Sequence, residues 1–437
     1  MRRLIQNLVF LVLASAAQAG RVTAAPIIDA DTRALLTEVQ QAGVKYFYEF
    51  GHPVSGLTRV GSDRAPELCE IGGTGWGCFN LIVAAERGFV PRADVAKRVQ
   101  TMLRFLAKAD RFHGVFPHWM NGDTGKTIPF NKEDDGADLV ETAFLAQGFI
   151  ALREYFTADA PIEKEIRTLA DQLWREIDWT WFASEEGGRA VLRWHWSPQF
   201  GFKKNMAIQG FNETHIIYLL ALGSPTHPVP AKLYWQGWQG GGDRFSTTRA
   251  DFGVPMTLGR GMNMPMFFAH YSYLGFDPHA VSFNGRTYFD HLRDMARVQF
   301  AYAQTKADTF RGYGPLWGLT ACKGPNGYKA YSPGARDDGT LAPTAALSSL
   351  PYVPEESLAC LRELQKNYRA RLWGTYGFAD AFNLTQDWAA PGYLGNDVGP
   401  IAPMIENYLS GLCWRTFMKA PEVAVTLERL RASDPGR

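Results

Sequence analysis

Four carboxylates stand where they could do acid–base chemistry. Asp134, Asp138 and Glu141 lie in Glu133-Asp134-Asp135-Gly136-Ala137-Asp138-Leu139-Val140-Glu141-Thr142, and Glu213 lies in Gly210-Phe211-Asn212-Glu213-Thr214-His215. Each patch opens a long apolar, helix-like run and has Trp, Tyr, Phe and Gly around it. Carboxylates held at rigid helix ends beside aromatic rings suit hydrolysis of a bond between sugars. One acid protonates the leaving oxygen, one base activates water, and flat apolar surfaces hold the pyranose rings.

On a helix, Asp134, Asp138 and Glu141 fall at i, i+4 and i+7, which places them on one face. Like charges so close raise the pKa of at least one of them when partly buried. The plainer alternative is that acids gather in a first helical turn to complement the helix dipole. Glu141 lies too deep in the run for that role. Glu213 sits between Phe211 and the apolar run Ile216-Ile217-Tyr218-Leu219-Leu220, a setting that keeps a carboxyl protonated toward neutral pH. Its plain alternative is a helix-start acid behind an Asn212 cap.

Sugar-binding candidates follow from the aromatics and histidines. His118 and Trp119 occur in Phe116-Pro117-His118-Trp119, and His215 follows Glu213 closely. Glycine-flanked Trp76, Tyr313, Trp317, Trp373 and Phe378 are placed to present rings at the mouth of a cleft. A lone histidine is more often structural, and most aromatics are core. The Gly72-to-Gly77 run lacks the Lys-Ser/Thr of a phosphate loop, and no Gly-x-Ser-x-Gly elbow occurs. Asp123 and Asp337-Asp338-Gly339 lack the spacing of a calcium loop. No metal and no cofactor is expected.

Helical periodicity dominates the elements that must position these groups. It predicts helices over 34–47, 79–85, 95–107, 139–155, 162–177, 213–222, 289–305, 358–368 and 405–418, with a strand at 190–194. The stretch 225–255, rich in Pro, Gly and Trp, reads as an ordered insertion. No linker divides the chain, so 26–437 is expected to be one large all-α domain. A closed ring of helix hairpins, an (α/α)6 barrel with long loops forming a cleft, suits that size.

Met1-Arg2-Arg3, an apolar run and Ala17-Gln18-Ala19 describe a secretory signal peptide over 1–19, with a second possible cut at 25. A periplasmic or secreted protein is expected, without stable membrane insertion. With 45 basic and 44 acidic residues there is no electrostatic footprint for nucleic acid. A neutral polymer fits better, and nothing points to a partner helix, so a monomer is expected. An odd cysteine count, five, leaves at least one thiol unpaired within a monomer, and buried free thiols are expected.

Several stretches together resemble the glucoamylase-like domain family that includes glycoside hydrolase family 144. They include Ile71-Gly72-Gly73-Thr74-Gly75-Trp76-Gly77, Asp138-Leu139-Val140-Glu141-Thr142-Ala143-Phe144-Leu145, Gly312-Tyr313-Gly314-Pro315-Leu316-Trp317-Gly318 and Gly377-Phe378-Ala379-Asp380-Ala381-Phe382-Asn383. The resemblance implies an (α/α)6 barrel and hydrolysis of glucan with inversion at the anomeric carbon, endo-β-1,2-glucanase being the best-understood activity. It implies Glu213 as general acid and a carboxylate of the Asp134, Asp138 and Glu141 cluster as base. Glu141-Thr142-Ala143 departs from an Asp-Thr-Ala seen in relatives. The alternatives are an exo-acting enzyme releasing a disaccharide, a glucosidase on another linkage, a polysaccharide lyase and a non-catalytic glycan receptor. Near-neutral charge argues against the lyase, and the acid cluster against the receptor.

Overall fold

A computed structural model describes residues 26–435, so the expected signal peptide lies outside the described residues. The helices are α1 (Ala30–Tyr48), α2 (Ile71–Glu86), α3 (Arg92–Leu106), α4 (Leu139–Tyr155), α5 (Pro161–Arg175), α6 (His215–Gly223) and α7 (Tyr288–Thr305). They continue with α8 (Pro343–Leu347), α9 (Pro354–Glu363), α10 (Arg369–Leu372), α11 (Gly395–Val398), α12 (Ile401–Leu409), α13 (Leu412–Phe417) and α14 (Pro421–Ala432).

Burial sorts these helices into two shells. In α2, α4, α6, α8 and α12 nearly every residue is buried, as expected of helices enclosed on all sides. In α1, α3, α5, α7, α9 and α14 one apolar stripe faces inward and charge faces out. The inner wall runs α2–α4–α6, continues through the 3-10 turns Met266–Ala269 and Tyr271–Tyr273, and closes through α8 and α12 back to α2. Gln147 of α4 donates to the Tyr271 carbonyl, and His270 meets Ser349 just past α8. Outer α3 and α5 pack together, α1 lies on α12, and α14 lies on α6. The chain is an (α/α)6 toroid. Its strands form only short two- and three-stranded ladders among the described residues.

Two sequence expectations are corrected. The glycine-rich segment after Glu70 is not a ring-presenting loop but the first two turns of α2. Its glycines are there for close approach: a Cβ on Gly75 would lie 2.2 Å from the Phe144 carbonyl oxygen of α4. The single run expected over 405–418 breaks at Gly411, whose φ of +69° ends α12 and starts α13. All five cysteines are buried and free. No helix among the described residues is long and apolar enough to cross a membrane.

Candidate active site

Asp138 organises the site. It is the N-cap of α4, and its Oδ1 accepts the N–H groups of Val140 (3.0 Å) and Glu141 (3.1 Å). Its Oδ2 meets His118 Nδ1 at 2.9 Å and His195 Nε2 at 3.6 Å. Burial pushes this carboxyl up, but the His118 hydrogen bond, the nearby His195 ring and the His118 charge outweigh it, so it stays ionised. Because Asp138 is a cap, Asp134 lies outside the helix, in a loop bridged from Asn131 to Asp134. The shared helix face expected for Asp134, Asp138 and Glu141 does not exist, yet the three converge through the cap.

Glu141 projects from the first turn of α4 against the start of α2. Its Oε2 accepts the Gly72 N–H at 2.8 Å, one of the donors that α2 leaves unsatisfied. Its Oε1 lies 3.9 Å from His118 Nδ1. Burial lifts its pKa to about 7, with His118 opposing and Asp138 adding to the rise. For His118, burial favours the neutral ring, but Glu141 and Asp138 win and raise it to about 9. The imidazolium stands between the two acids.

Two further residues complete the cluster, and sequence reasoning missed both. His195 is delivered by a short ladder in which Asp138 faces His195 and Ala137 faces Trp196. Its Nε2 lies 3.2 Å from Asp134 Oδ2 and 3.4 Å from Lys204 Nζ. Burial holds the ring neutral, with Lys204 assisting against the two aspartates. Lys204 Nζ binds Asp134 Oδ2 at 2.9 Å. His118, Asp134 and Asp138 bring one possible metal-ligand atom each within 4.8 Å of one another. The charge there is already met by the Lys204 ammonium and the His118 imidazolium. Lys204→Met is therefore expected to lower kcat about 10- to 100-fold, the worth of a hydrogen bond between charged groups. Lys204→Arg should recover most of it in steady-state assays.

Glu213 arrives from the segment before α6. Thr214 is the N-cap residue, two positions after the Asn212 expected there, and Asn212 Oδ1 instead accepts the Thr214 N–H at 2.9 Å in a turn just before the helix. Ser272 bonds the Glu213 carbonyl and also accepts the Ile216 N–H, which fixes the segment to the inner wall. Burial, with a smaller push from the charge on Glu141, raises the Glu213 carboxyl to about 7. The Glu141 charge thus reaches Glu213 without a hydrogen bond between them.

The other sequence candidates are distributed differently. His118 and Trp119 belong to the site, and Trp119 packs edge-on to Phe130 at 4.7 Å. Trp76 is buried in α2 and packs against Tyr271 at 4.3 Å with the rings tilted by 39°. His215 is buried in a box of Trp238, Tyr288, Tyr234 and Tyr273, bonded to both of the last two. Tyr313 is buried with its hydroxyl on Asp337, and Trp317 is buried with its indole N–H on the Glu356 carbonyl. Phe378 is buried against the half-buried Trp373, which lies under Arg369 in a hollow lined by α1 residues. The structure gathers none of these last four with His215 around the acids.

Known proteins share this arrangement of helices. The family described as "Putative glucoamylase" matches residues 205–421. A crystal structure from Bacteroides uniformis, described in the same words, is 44% identical, has a TM-score of 0.89, and covers 92% of this chain and 98% of its own. This chain belongs to the glucoamylase-like family. An endo-beta-1,2-glucanase from Chitinophaga pinensis, solved with sophorotriose and glucose, is 38% identical with a TM-score of 0.87 over 92% of this chain and 98% of its own. An exo beta-1,2-glucooligosaccharide sophorohydrolase (non-reducing end) from Parabacteroides distasonis is 37% identical over 91% of this chain. The glucoamylase-like chain described here spans 58% of that curated relative.

Proposed function

We propose that the chain is an anomer-inverting glycoside hydrolase that cuts β-1,2-glucan internally and releases short β-1,2-linked oligosaccharides. The observation that carries this reading is the Glu213 and Glu141 pair: two carboxyls on separate inner-wall segments, each lifted to about 7, with the Glu141 charge reaching Glu213 and no hydrogen bond between them. Glu213 is the general acid, since a carboxyl kept protonated near neutrality can donate to the glycosidic oxygen. Glu141 is the base. Its Oε2 is fixed by Gly72, while its Oε1 has only the distant His118 ring nearby and is left to take a proton from water. Asp138 has both oxygens committed, and Asp134 is held ionised by Lys204 and His195 at its Oδ2, so we assign these two to maintaining the field, although Asp134 Oδ1 is buried without a hydrogen bond.

The substrate class is supported by the similar proteins from Chitinophaga pinensis and Parabacteroides distasonis, one endo-acting and one exo-acting on β-1,2-linked glucose. On this reading the signal-like stretch over 1–19 directs export, and the enzyme acts as a monomer on glucan outside the cytoplasm. Linear β-1,2-glucan incubated with the protein should give an early ladder of short oligosaccharides. A single accumulating disaccharide would instead make the enzyme exo-acting. Absence of products would remove β-1,2-glucan as the substrate.

A further inference from the structure

Phe130 is a large apolar side chain beside the His118 of the acid cluster that the fold leaves open, with 44% of its surface exposed. Its ring lies 4.2 Å from the His118 ring at 38°, and 4.7 Å from Trp119 at 61°. One face is thus engaged by an imidazole whose Nδ1 reaches Asp138 at 2.9 Å and Glu141 at 3.9 Å. The exposed part of the ring is therefore one side chain removed from the carboxylate read above as the base.

The loop that carries Phe130 is held firmly. The Phe130 N–H donates to the Asp134 carbonyl at 2.9 Å, and the Asp134 N–H donates back to the Asn131 carbonyl at 3.1 Å. Lys203 pairs with Glu133 at 2.7 Å and Lys204 with Asp134 at 2.9 Å, tying this loop to the one over 197–205. Lys132 and Lys203 both lie over the Phe200 ring. Trp119 is fixed by its strand pairing with Ile128. An exposed aromatic ring held this rigidly loses little entropy when something stacks on it.

We propose that Phe130, backed by His118 and Trp119, is the platform of a pyranose-binding subsite that flanks the hydrolysed bond. The axial C–H face of a glucose unit packs on the open part of the ring, while its hydroxyls stay free for the polar groups of the cleft. The subsite sets how strongly the enzyme prefers longer chains. It rests on the glycosidase reading above.

Its test is the hydrolysis of β-1,2-gluco-oligosaccharides of rising length by the parent, Phe130→Ala and Phe130→Trp. The expected result is a loss of kcat/KM in Phe130→Ala that grows with chain length to about tenfold, as for burial of one ring face. Phe130→Trp should restore it, and the melting temperature should not move. A loss that is uniform across lengths, or no loss, overturns the subsite. Binding of the same oligosaccharides to Glu213→Gln, with and without Phe130→Ala, separates the two readings. Tighter binding of long chains that needs Phe130 supports the platform even if turnover of this linkage fails in the parent.

Discussion

Glu213→Gln is expected to lower kcat on β-1,2-glucan by about three orders of magnitude, within the range that positioned general acids supply. The amide keeps the shape of the side chain and removes the proton. A glucoside with a good leaving group, which needs no protonation, should recover most of the rate. Retention of more than a tenth of the parent activity on glucan would sink the assignment. The same variant should gain stability. Burial raises the Glu213 pKa from 4.5 to about 7, so stability present below its unfolded pKa is lost as pH rises through about 7. Above that pH the carboxylate costs roughly 3 kcal/mol that glutamine does not. Melting at pH 8 should therefore be higher for the variant than for the parent, with the difference shrinking at pH 5.

Glu141→Gln should lose about 100- to 1,000-fold for a different reason, because water is no longer deprotonated as it attacks. Azide needs no base and can attack the same anomeric carbon from the side opposite the leaving oxygen. An inverted glucosyl azide should appear when it is added to Glu141→Gln, and not with Asp134→Asn or Asp138→Asn. Rescue of Asp134→Asn instead would move the base to that residue. The pH profile carries the same division. Activity rises as Glu141 ionises and falls as Glu213 does, giving a narrow bell centred near 7 that belongs to the pair. Glu141→Gln should remove the acid limb and Glu213→Gln the alkaline one.

The acids were legible in the sequence because carboxylates at the mouths of apolar helical runs are conspicuous whatever the local geometry. Their geometry was less so. The spacing of Asp134, Asp138 and Glu141 suggested one helix face, but a short polar side chain before Leu139 caps more favourably than it continues a helix. His195, Lys204 and Phe130 lie on loops brought in by strand pairing and ion pairs, and no periodic pattern marks such arrivals. Phe130 alone had a signal, an aromatic a few residues before an acid cluster. The glycine-rich stretch was misjudged because glycine is a poor helix former in isolation, and only the packing of α4 against α2 repays its use. Tyr313, Trp317 and Phe378 looked like cleft rings because glycine flanks them, and the same glycines serve tight turns over a buried ring.

The contact between the Gly72 N–H and Glu141 spans 69 positions of chain and joins two neighbouring hairpins of the ring. A Cβ on Gly72 would stand 2.4 Å from Glu141 Oε2, so no other residue leaves that oxygen in place. Glu213 comes from a third hairpin, and its field is completed only by Glu141. Catalytic competence is therefore a property of the closed ring rather than of any one segment. Undocked hairpins would lack both the Gly72 contact and the burial that lifts the two carboxyls, so their acids would keep the ordinary carboxylate range.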